Sequence, residues 1–149
     1  MSSIKDQLTA EMKAAMKSGN KSRLGTIRML LAAVKQAEVD SRTALSDEQV
    51  LDVLTKAAKQ RRESIDQYEQ ANRLDLADIE RAELAVITTF LPEQLSDDEI
   101  SNEIDRIIKE TNAAGMKDMG KVMGVANQTL KGRADMALVS KKVKEQLSA

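Results

Sequence analysis

Apolar residues recur along almost the whole chain at spacings of three and four, which is the period of an amphipathic α-helix. We therefore predict an all-α protein. The helices before Pro92 are expected to form an N-terminal four-helix domain, followed by a small three-helix C-terminal domain.

Breaks in the apolar pattern predict the bounds of the first four helices. The first helix is expected to end near Ser18, and the second to run from about Ser22 to Asp40. The third should run from about Asp47 to Asn72, and the fourth from Asp75 to the segment before Pro92. Polar residues that can accept from free N–H groups stand before three of them. The predicted caps are Ser2 or Ser3 for the first helix, a capping box of Ser46 and Gln49 for the third, and Asp75 for the fourth.

The fourth predicted helix is the most apolar, and we expect it to be central to the N-terminal core. Its apolar positions are Leu76, Ile79, Ala82, Leu84, Val86, Ile87, Phe90 and Leu91. Pro92, the only proline, should end this helix because the residue before a proline avoids helical geometry. The composition turns acidic immediately afterwards, so the predicted domains are residues 1–92 and 93–149.

The C-terminal part contains the pattern for three further helices. Ser96 and Glu99 form a second capping box, and Gly115 can end the fifth helix. The last two helices flank the tight turn Lys131–Asp135. Gly132 can adopt positive φ in that turn, and Asp135 can cap the final helix.

Composition excludes several classes of function. The 149 residues are 42% hydrophobic, which is enough for a core, and they include neither cysteine nor histidine. Thiol nucleophiles, histidine-dependent triads and most zinc sites are therefore excluded, and no metal or cofactor is implied. No apolar run approaches the roughly 20 residues of a membrane helix, and Met1–Asp6 lacks signal-peptide character. We expect a cytoplasmic protein without membrane contact.

Charge is unevenly distributed, although the net charge is only −1. Residues 12–37 contain six basic residues and no acid, and residues 109–149 contain eight basic residues against four acids. Local excess of basic residues indicates that a polyanion is bound locally. Tyr68 and Phe90 are the only aromatic residues, so recognition of single strands by base stacking is not expected.

The stretch from Met116 to Leu147 combines basic residues with helix glycines and is the predicted RNA-binding site. Its candidate residues are Lys117, Gly120, Lys121, Gly124, Lys131, Gly132 and Arg133. Gly120 and Gly124 share one helical face, and each costs helix stability unless another backbone comes close. That backbone is either a neighbouring helix of the same domain, the commoner reason for a helix glycine, or a phosphodiester chain.

A second basic group lies in the third predicted helix and comprises Lys56, Lys59, Arg61 and Arg62. Arg61 interrupts an otherwise apolar seam. One interpretation, which we favour, is that its stem packs while the guanidinium reaches solvent or pairs with a carboxylate. The other is that the four residues form a cationic ridge for phosphate or for an acidic partner.

Three separate motifs resemble the stand-alone YqeY-like proteins and together cover essentially the whole chain. They are Lys56–Tyr68, Phe90–Ser96, and Lys117–Gly124 with Lys131–Asp135. The C-terminal half of that family is similar to the tail domain of the GatB subunit of the glutamine-dependent aspartyl/glutamyl-tRNA amidotransferase. The resemblance implies an all-helical two-domain fold and a tRNA-related partner. It also implies the family label of carbon–nitrogen ligase with glutamine as amido donor.

The residues themselves offer no catalytic constellation for that label. Cysteine and histidine are absent, and the chain has no phosphate-binding loop of the Gly-x-x-x-x-Gly-Lys-Ser/Thr kind. We therefore expect a tRNA-binding accessory module without catalysis of its own. One alternative is a protein–protein interaction adaptor in an amidotransferase-like or ribosome-associated assembly. Another is an amidotransferase subunit that is active only in a complex.

Overall fold

The computed structural model describes residues 3–149, and in that range the chain is helical with no strand. The all-α prediction is confirmed. The helices are α1 (Ile4–Ser18), α2 (Lys21–Ser41), α3 (Asp47–Gln70), α4 (Leu74–Thr88), α5 (Asp97–Thr111), α6 (Met119–Leu130) and α7 (Met136–Ser148), with a 3₁₀ turn at Met116–Asp118 before α6. Contacts divide the chain into two compact units, unit 1 (Met1–Pro92) and unit 2 (Glu93–Ala149).

The helices begin largely at the predicted polar residues. The Ser3 hydroxyl accepts from the Asp6 N–H at 3.1 Å, whereas Ser2 lies outside the described residues. Both capping boxes are present, at Ser46 before α3 and at Ser96 before α5. In each box the serine hydroxyl and the side chain three residues later exchange hydrogen bonds with the backbone, which satisfies two otherwise free N–H groups.

Three predicted helix ends are wrong. Asp75 does not cap α4, because the helix begins at Leu74 and Arg73 occupies the cap position without a side-chain hydrogen bond. The carboxylate of Asp75 pairs with Arg73 instead. Helix α4 already ends at Thr88, before the proline. Helix α5 ends at Thr111, before the predicted Gly115, because Asn112 takes the left-handed conformation at φ 55°.

Unit 1 packs α3 along α4 and α1 along α2 around one hydrophobic core. Ten buried residues form it, namely Leu8, Ile27, Leu30, Val34, Val50, Leu54, Ala57, Ala58, Ile87 and Phe90. Helix α4 contributes less than predicted, since Ile79 is 57% exposed. The apolar residues of α4 cover more than one helical face, and a unit of this size buries only one of them.

Unit 2 is a three-helix unit whose core is built from regularly spaced triplets. Each helix buries three residues at spacings of three or four, and these are Ile100, Ile104 and Ile107; Val122, Ala126 and Leu130; and Val139, Val143 and Leu147. The turn before α7 adds Ala134 to the same core. Within residues 3–149, no helix is both long enough and apolar enough to cross a bilayer.

Candidate nucleic-acid interface

The turn between α6 and α7 depends on a glycine. Helix α6 ends at Leu130, and Gly132 has φ 78°, which is the left-handed region that glycine tolerates without a steric penalty. The Arg133 N–H donates to the Leu130 carbonyl oxygen at 2.9 Å and closes the turn. The positive φ predicted for Gly132 is therefore confirmed.

The segment that precedes α5 holds this turn in place. The Gln94 Nε2 donates to the Gly132 carbonyl oxygen at 2.7 Å, and the Leu95 N–H donates to the Arg133 carbonyl oxygen at 2.9 Å. Two successive carbonyl groups that would otherwise require water thus have partners inside unit 2. The turn is therefore fixed by residues that are distant in sequence, since Gln94 and Gly132 are 38 residues apart.

Acidic side chains bind backbone N–H groups just before α6 and at the start of α7. Before the helix, Asp118 Oδ2 accepts from the Ala114 N–H at 2.7 Å. After it, Asp135 Oδ1 accepts from the Ala137 N–H at 3.1 Å and caps α7, as the sequence predicted. Both carboxylates therefore serve the backbone rather than a neighbouring lysine.

The outer face of α6 brings most of the predicted site residues together. Lys117, Gly120, Lys121 and Gly124 are all exposed, and Lys131 is exposed just beyond the helix. Gly120, Lys121 and Gly124 lie on the side of the helix opposite its buried triplet. Lys117 and Lys131 flank the helix at its two ends. We call these five residues the α6 outer face.

The two helix glycines of this face do not serve packing within the chain. A Cβ atom added to Gly120 or Gly124 would meet no other heavy atom within 4 Å. The interpretation that a neighbouring helix of the same domain packs against them is therefore wrong for the described residues. Each glycine still costs helix stability relative to alanine, by about 1 kcal/mol.

Two predicted site residues differ from the rest. Gly132 is buried, so it shapes the turn and offers no surface to a ligand.

Arg133 is only partly exposed and lies near Glu99, whose carboxyl has a pKa below its ordinary value. The Ser96 N–H is the largest cause of this lowered pKa, the Ser96 hydroxyl is the next, and the positive charge of Arg133 adds to them.

One residue of the basic ridge predicted on α3, Arg61, is engaged in ion pairs. The Arg61 Nε lies 3.0 Å from Glu83 Oε2 and 3.7 Å from Glu80 Oε2, and the arginine side chain is 13% exposed. Pairing with a carboxylate is confirmed, so Arg61 is not part of a cationic surface. The pKa of Glu80 is raised, chiefly by burial and then by the charge of Glu83, while Arg61 acts to lower it. The other three ridge residues are Lys56 and Lys59, both exposed, and the partly exposed Arg62.

The structure also has a groove between α2 and α4 that the sequence did not lead us to expect. It has a volume of about 480 Å³ and includes Gly25, Met29, Ile79 and Ala82 in its lining. Met29 is 48% and Ile79 57% exposed, although both are large and apolar. Gly25, inside α2, was the available signal, because a glycine in the interior of a helix often has a packing or functional reason.

No metal site appears in the part of the chain that the structure describes, where no three carboxylates are grouped so that they could hold an ion.

Comparison with known proteins places almost the whole chain in one family. A family model described as "Yqey-like protein" matches residues 5–147. The relatives include proteins named "Altered inheritance of mitochondria protein 41, mitochondrial". The one from Pyrenophora tritici-repentis is 34% identical over 96% of this chain and 80% of its own length. The one from Vanderwaltozyma polyspora is 27% identical, over 91% and 77% respectively. Because the family model spans nearly every residue and the Pyrenophora relative aligns with most of its length, the chain belongs to the YqeY-like family.

Proposed function

We propose that unit 2 is an accessory module that binds the phosphate backbone of a structured RNA, in the first instance tRNA, through the α6 outer face. The observation that carries this proposal is the exposure of Lys117 and Lys121 beside two glycines at which an added Cβ would meet no other heavy atom of residues 3–149 within 4 Å. Lysine ammonium groups contact phosphates without reading sequence. The missing side chains of Gly120 and Gly124 let a backbone come close to the helix.

The electrostatics of unit 2 support this proposal. Of the four acids in residues 109–149, Asp118 and Asp135 bind backbone N–H groups. Glu110 pairs with Arg106 at 2.8 Å. Three of the four acids therefore have local partners, whereas Lys117 and Lys121, like the fourth acid Glu145, are exposed to solvent. A surface of this kind attracts a polyanion in a manner that depends strongly on salt.

The resemblance to the tail of the GatB subunit, which was inferred from the sequence motifs alone, is the reason for testing tRNA first. The proposal includes binding and no catalysis by this chain. The cytoplasmic location expected from sequence stays a prediction, and the relatives named above carry a mitochondrial name.

The test is binding of fluorescently labelled tRNA to the full chain, measured by anisotropy across a salt series. The variant replaces Lys117, Lys121 and Lys131 by glutamine, which keeps helix propensity and removes three charges. We expect a loss of affinity of at least tenfold at low salt. The slope of log K against log salt should fall by about 0.9 for each duplex phosphate contact that is lost.

A matched control replaces Lys56, Lys59 and Arg62 on α3 by glutamine, which removes the same charge from a different surface. Circular dichroism and thermal unfolding establish that both variants remain folded. The proposal is wrong if the control and the α6 variant bind tRNA equally well, or if the wild-type chain does not bind at low salt.

A second candidate function is that of a protein-interaction adaptor, and the α2–α4 groove of unit 1 favours it. Exposed Met29 and Ile79 are the kind of apolar side chains that a partner helix buries. A pull-down that recovers a protein partner after nuclease treatment would support this function. The partner should be lost when Met29 and Ile79 are both replaced by glutamine, changes that these exposed positions tolerate.

A further inference from the structure

The exposed face of α2 forms a regular strip of basic and small residues. Lys21, Gly25, Arg28, Ala32 and Lys35 follow one another at alternating spacings of four and three, and all five are exposed. This spacing aligns them along one side of the helix. The opposite side is the one that enters the unit 1 core, through Ile27, Leu30 and Val34. We call the five exposed residues the α2 strip.

The three cations of the α2 strip have no ion pair among residues 3–149. The basic residues beside the strip are different, because their charges are already compensated. Arg23 pairs with Glu11 at 3.2 Å, and Lys5 of α1 pairs with Glu38 of α2 at 3.0 Å. The charge of the strip is therefore available to a ligand from outside.

Acids lie near the two ends of the strip, but none of them forms an ion pair with its cations among residues 3–149. Lys21 shares the α2–α4 groove with Asp78 and Glu83. Asp78 lies 2.7 Å from Arg81, which also pairs with Glu69. Glu83 shares Arg61 with Glu80. At the other end, Asp40 accepts a 2.9 Å hydrogen bond from the side chain of Gln36. In residues 12–37, the sequence contains no acid at all.

The spacing of the strip suits a nucleic-acid backbone. Lys21, Arg28 and Lys35 are seven residues apart, which corresponds to about 10 Å along the helix axis. Successive phosphates of one strand rise about 3.4 Å along the axis of B-form DNA and less along A-form RNA, so such a step spans roughly three to four phosphates. Gly25 and Ala32 lie between the cations and leave room for a sugar–phosphate chain to approach the helix backbone.

A membrane surface fits the strip less well than a duplex does. A helix that lies in a bilayer interface needs a face of large apolar residues beside its basic residues. Ile27, Leu30 and Val34 of α2 are used for the core of unit 1. Met29 and Val39 are exposed on this helix, but two separate residues do not form the continuous apolar face that interfacial binding needs. The scarcity of aromatic residues likewise disfavours a single strand, whose bases need stacking platforms.

We propose that the α2 strip binds the phosphate backbone of double-helical RNA, with Lys21, Arg28 and Lys35 as the phosphate contacts. This surface lies on unit 1 and does not depend on the α6 outer face of unit 2. The chain would then carry a separate backbone-binding surface on each unit. Such contacts give affinity and salt dependence without sequence preference.

The test uses the full chain and a labelled RNA duplex of about two helical turns, titrated by anisotropy across a salt series. The variant carries Lys21→Gln, Arg28→Gln and Lys35→Gln. We expect at least a tenfold loss of affinity at low salt and a salt slope that is smaller by about two to three. An affinity and a slope that both equal those of the wild-type chain would overturn the proposal.

Three comparisons make the result specific. The α3 control, with Lys56, Lys59 and Arg62 replaced by glutamine, should bind the duplex within twofold of the wild-type chain. The α6 variant of the preceding section is measured in parallel, so that failure of one surface is distinguished from failure of the other. Vesicles that contain phosphatidylserine provide the third comparison. If the α2 variant loses binding to vesicles but not to the duplex, the ligand is an anionic membrane and the proposal is wrong.

A single substitution tests the same proposal with less risk of unfolding the chain than the triple variant. Ala32→Glu places one negative charge in the middle of the strip at an exposed position where glutamate is a good helix former. We expect it to weaken duplex binding while circular dichroism and the thermal unfolding midpoint stay close to the wild-type values. Unchanged binding in a folded Ala32→Glu chain would also contradict the proposal.

Discussion

The side-chain amide of Gln94 donates a 2.7 Å hydrogen bond to the backbone carbonyl of Gly132, which ties the segment before α5 to the turn after α6. The contact is partly buried, so a carbonyl that lost it would gain little from water. Together with the bond from Leu95 to the next carbonyl, it fixes the position from which Lys131 is presented. Gln94 and Leu95, which lie outside the turn, thus determine its geometry.

Replacing Gln94 by alanine should therefore destabilise unit 2. Loss of one hydrogen bond to a partly buried carbonyl is expected to cost about 1–2 kcal/mol. Urea unfolding followed by circular dichroism measures the change. Gln128→Ala is the matched control, because Gln128 is exposed on α6, and it should change the free energy of unfolding by less than about 0.5 kcal/mol. Equal effects of the two variants would contradict this role of Gln94.

Replacing Gly120 and Gly124 by alanine should stabilise the chain and weaken RNA binding. Alanine is the better helix former by about 1 kcal/mol at each position, and the added methyl groups meet no heavy atom of the described residues within 4 Å. The same methyl groups would stand between the helix and a phosphodiester backbone. The measurements are urea unfolding and tRNA anisotropy on one preparation. A weaker binder that is also more stable cannot be explained by loss of folding.

The outcome that would contradict this prediction is a destabilised double variant, since it would mean that something packs against the glycine face. Gly25→Ala on α2 offers a control for the stability part. Its added methyl group also meets nothing within 4 Å, so it should stabilise unit 1 by a similar amount. It leaves the α6 outer face unchanged.

Replacing Arg61 by methionine should destabilise unit 1. Methionine keeps much of the apolar stem but leaves Glu83 and Glu80 without their cation. Because the pair is neither fully buried nor fully exposed, we expect a cost of roughly 1–3 kcal/mol, between the values for surface and buried pairs. Lys59→Met on the exposed side of α3 is the control and should have little effect. The pKa of Glu80, followed by NMR titration, should rise further in the Arg61 variant.

Much of the local structure could be predicted because its causes lie within a few residues. The two capping boxes, at Ser46 and Ser96, involve only a serine and the residue three positions later. The end of α1 at Gly19 and the turn at Gly132 depend on the conformational freedom of one glycine each. Such features can be read from the sequence without knowledge of the tertiary structure.

Features that depend on distant residues could be predicted only in part. The sequence indicated that Arg61 pairs with a carboxylate, but Glu83 lies 22 residues away and could not be identified. Periodicity placed Gly120 and Gly124 on one face, yet it could not tell whether another helix covers that face. The exposure of Ile79 was missed for the same reason. Which of several apolar positions on α4 enters the core depends on where α2 and α3 lie.

The stability of unit 1 should depend on pH through Glu38. Its carboxylate accepts from the Leu45 N–H at 2.8 Å and from Lys5 Nζ at 3.0 Å, and these contacts lower its pKa, the backbone bond most. A carboxyl with a lower pKa in the folded state stabilises the fold above its ordinary pKa of about 4.3 and loses that effect as the pH falls through the folded value. Glu38→Gln should therefore lower the unfolding midpoint at pH 7, and the difference should shrink towards pH 3. Glu63→Gln, on the exposed side of α3, is the control. If Glu38→Gln lowered the unfolding midpoint equally at pH 7 and pH 3, the ionisation of Glu38 would not contribute to the stability of unit 1.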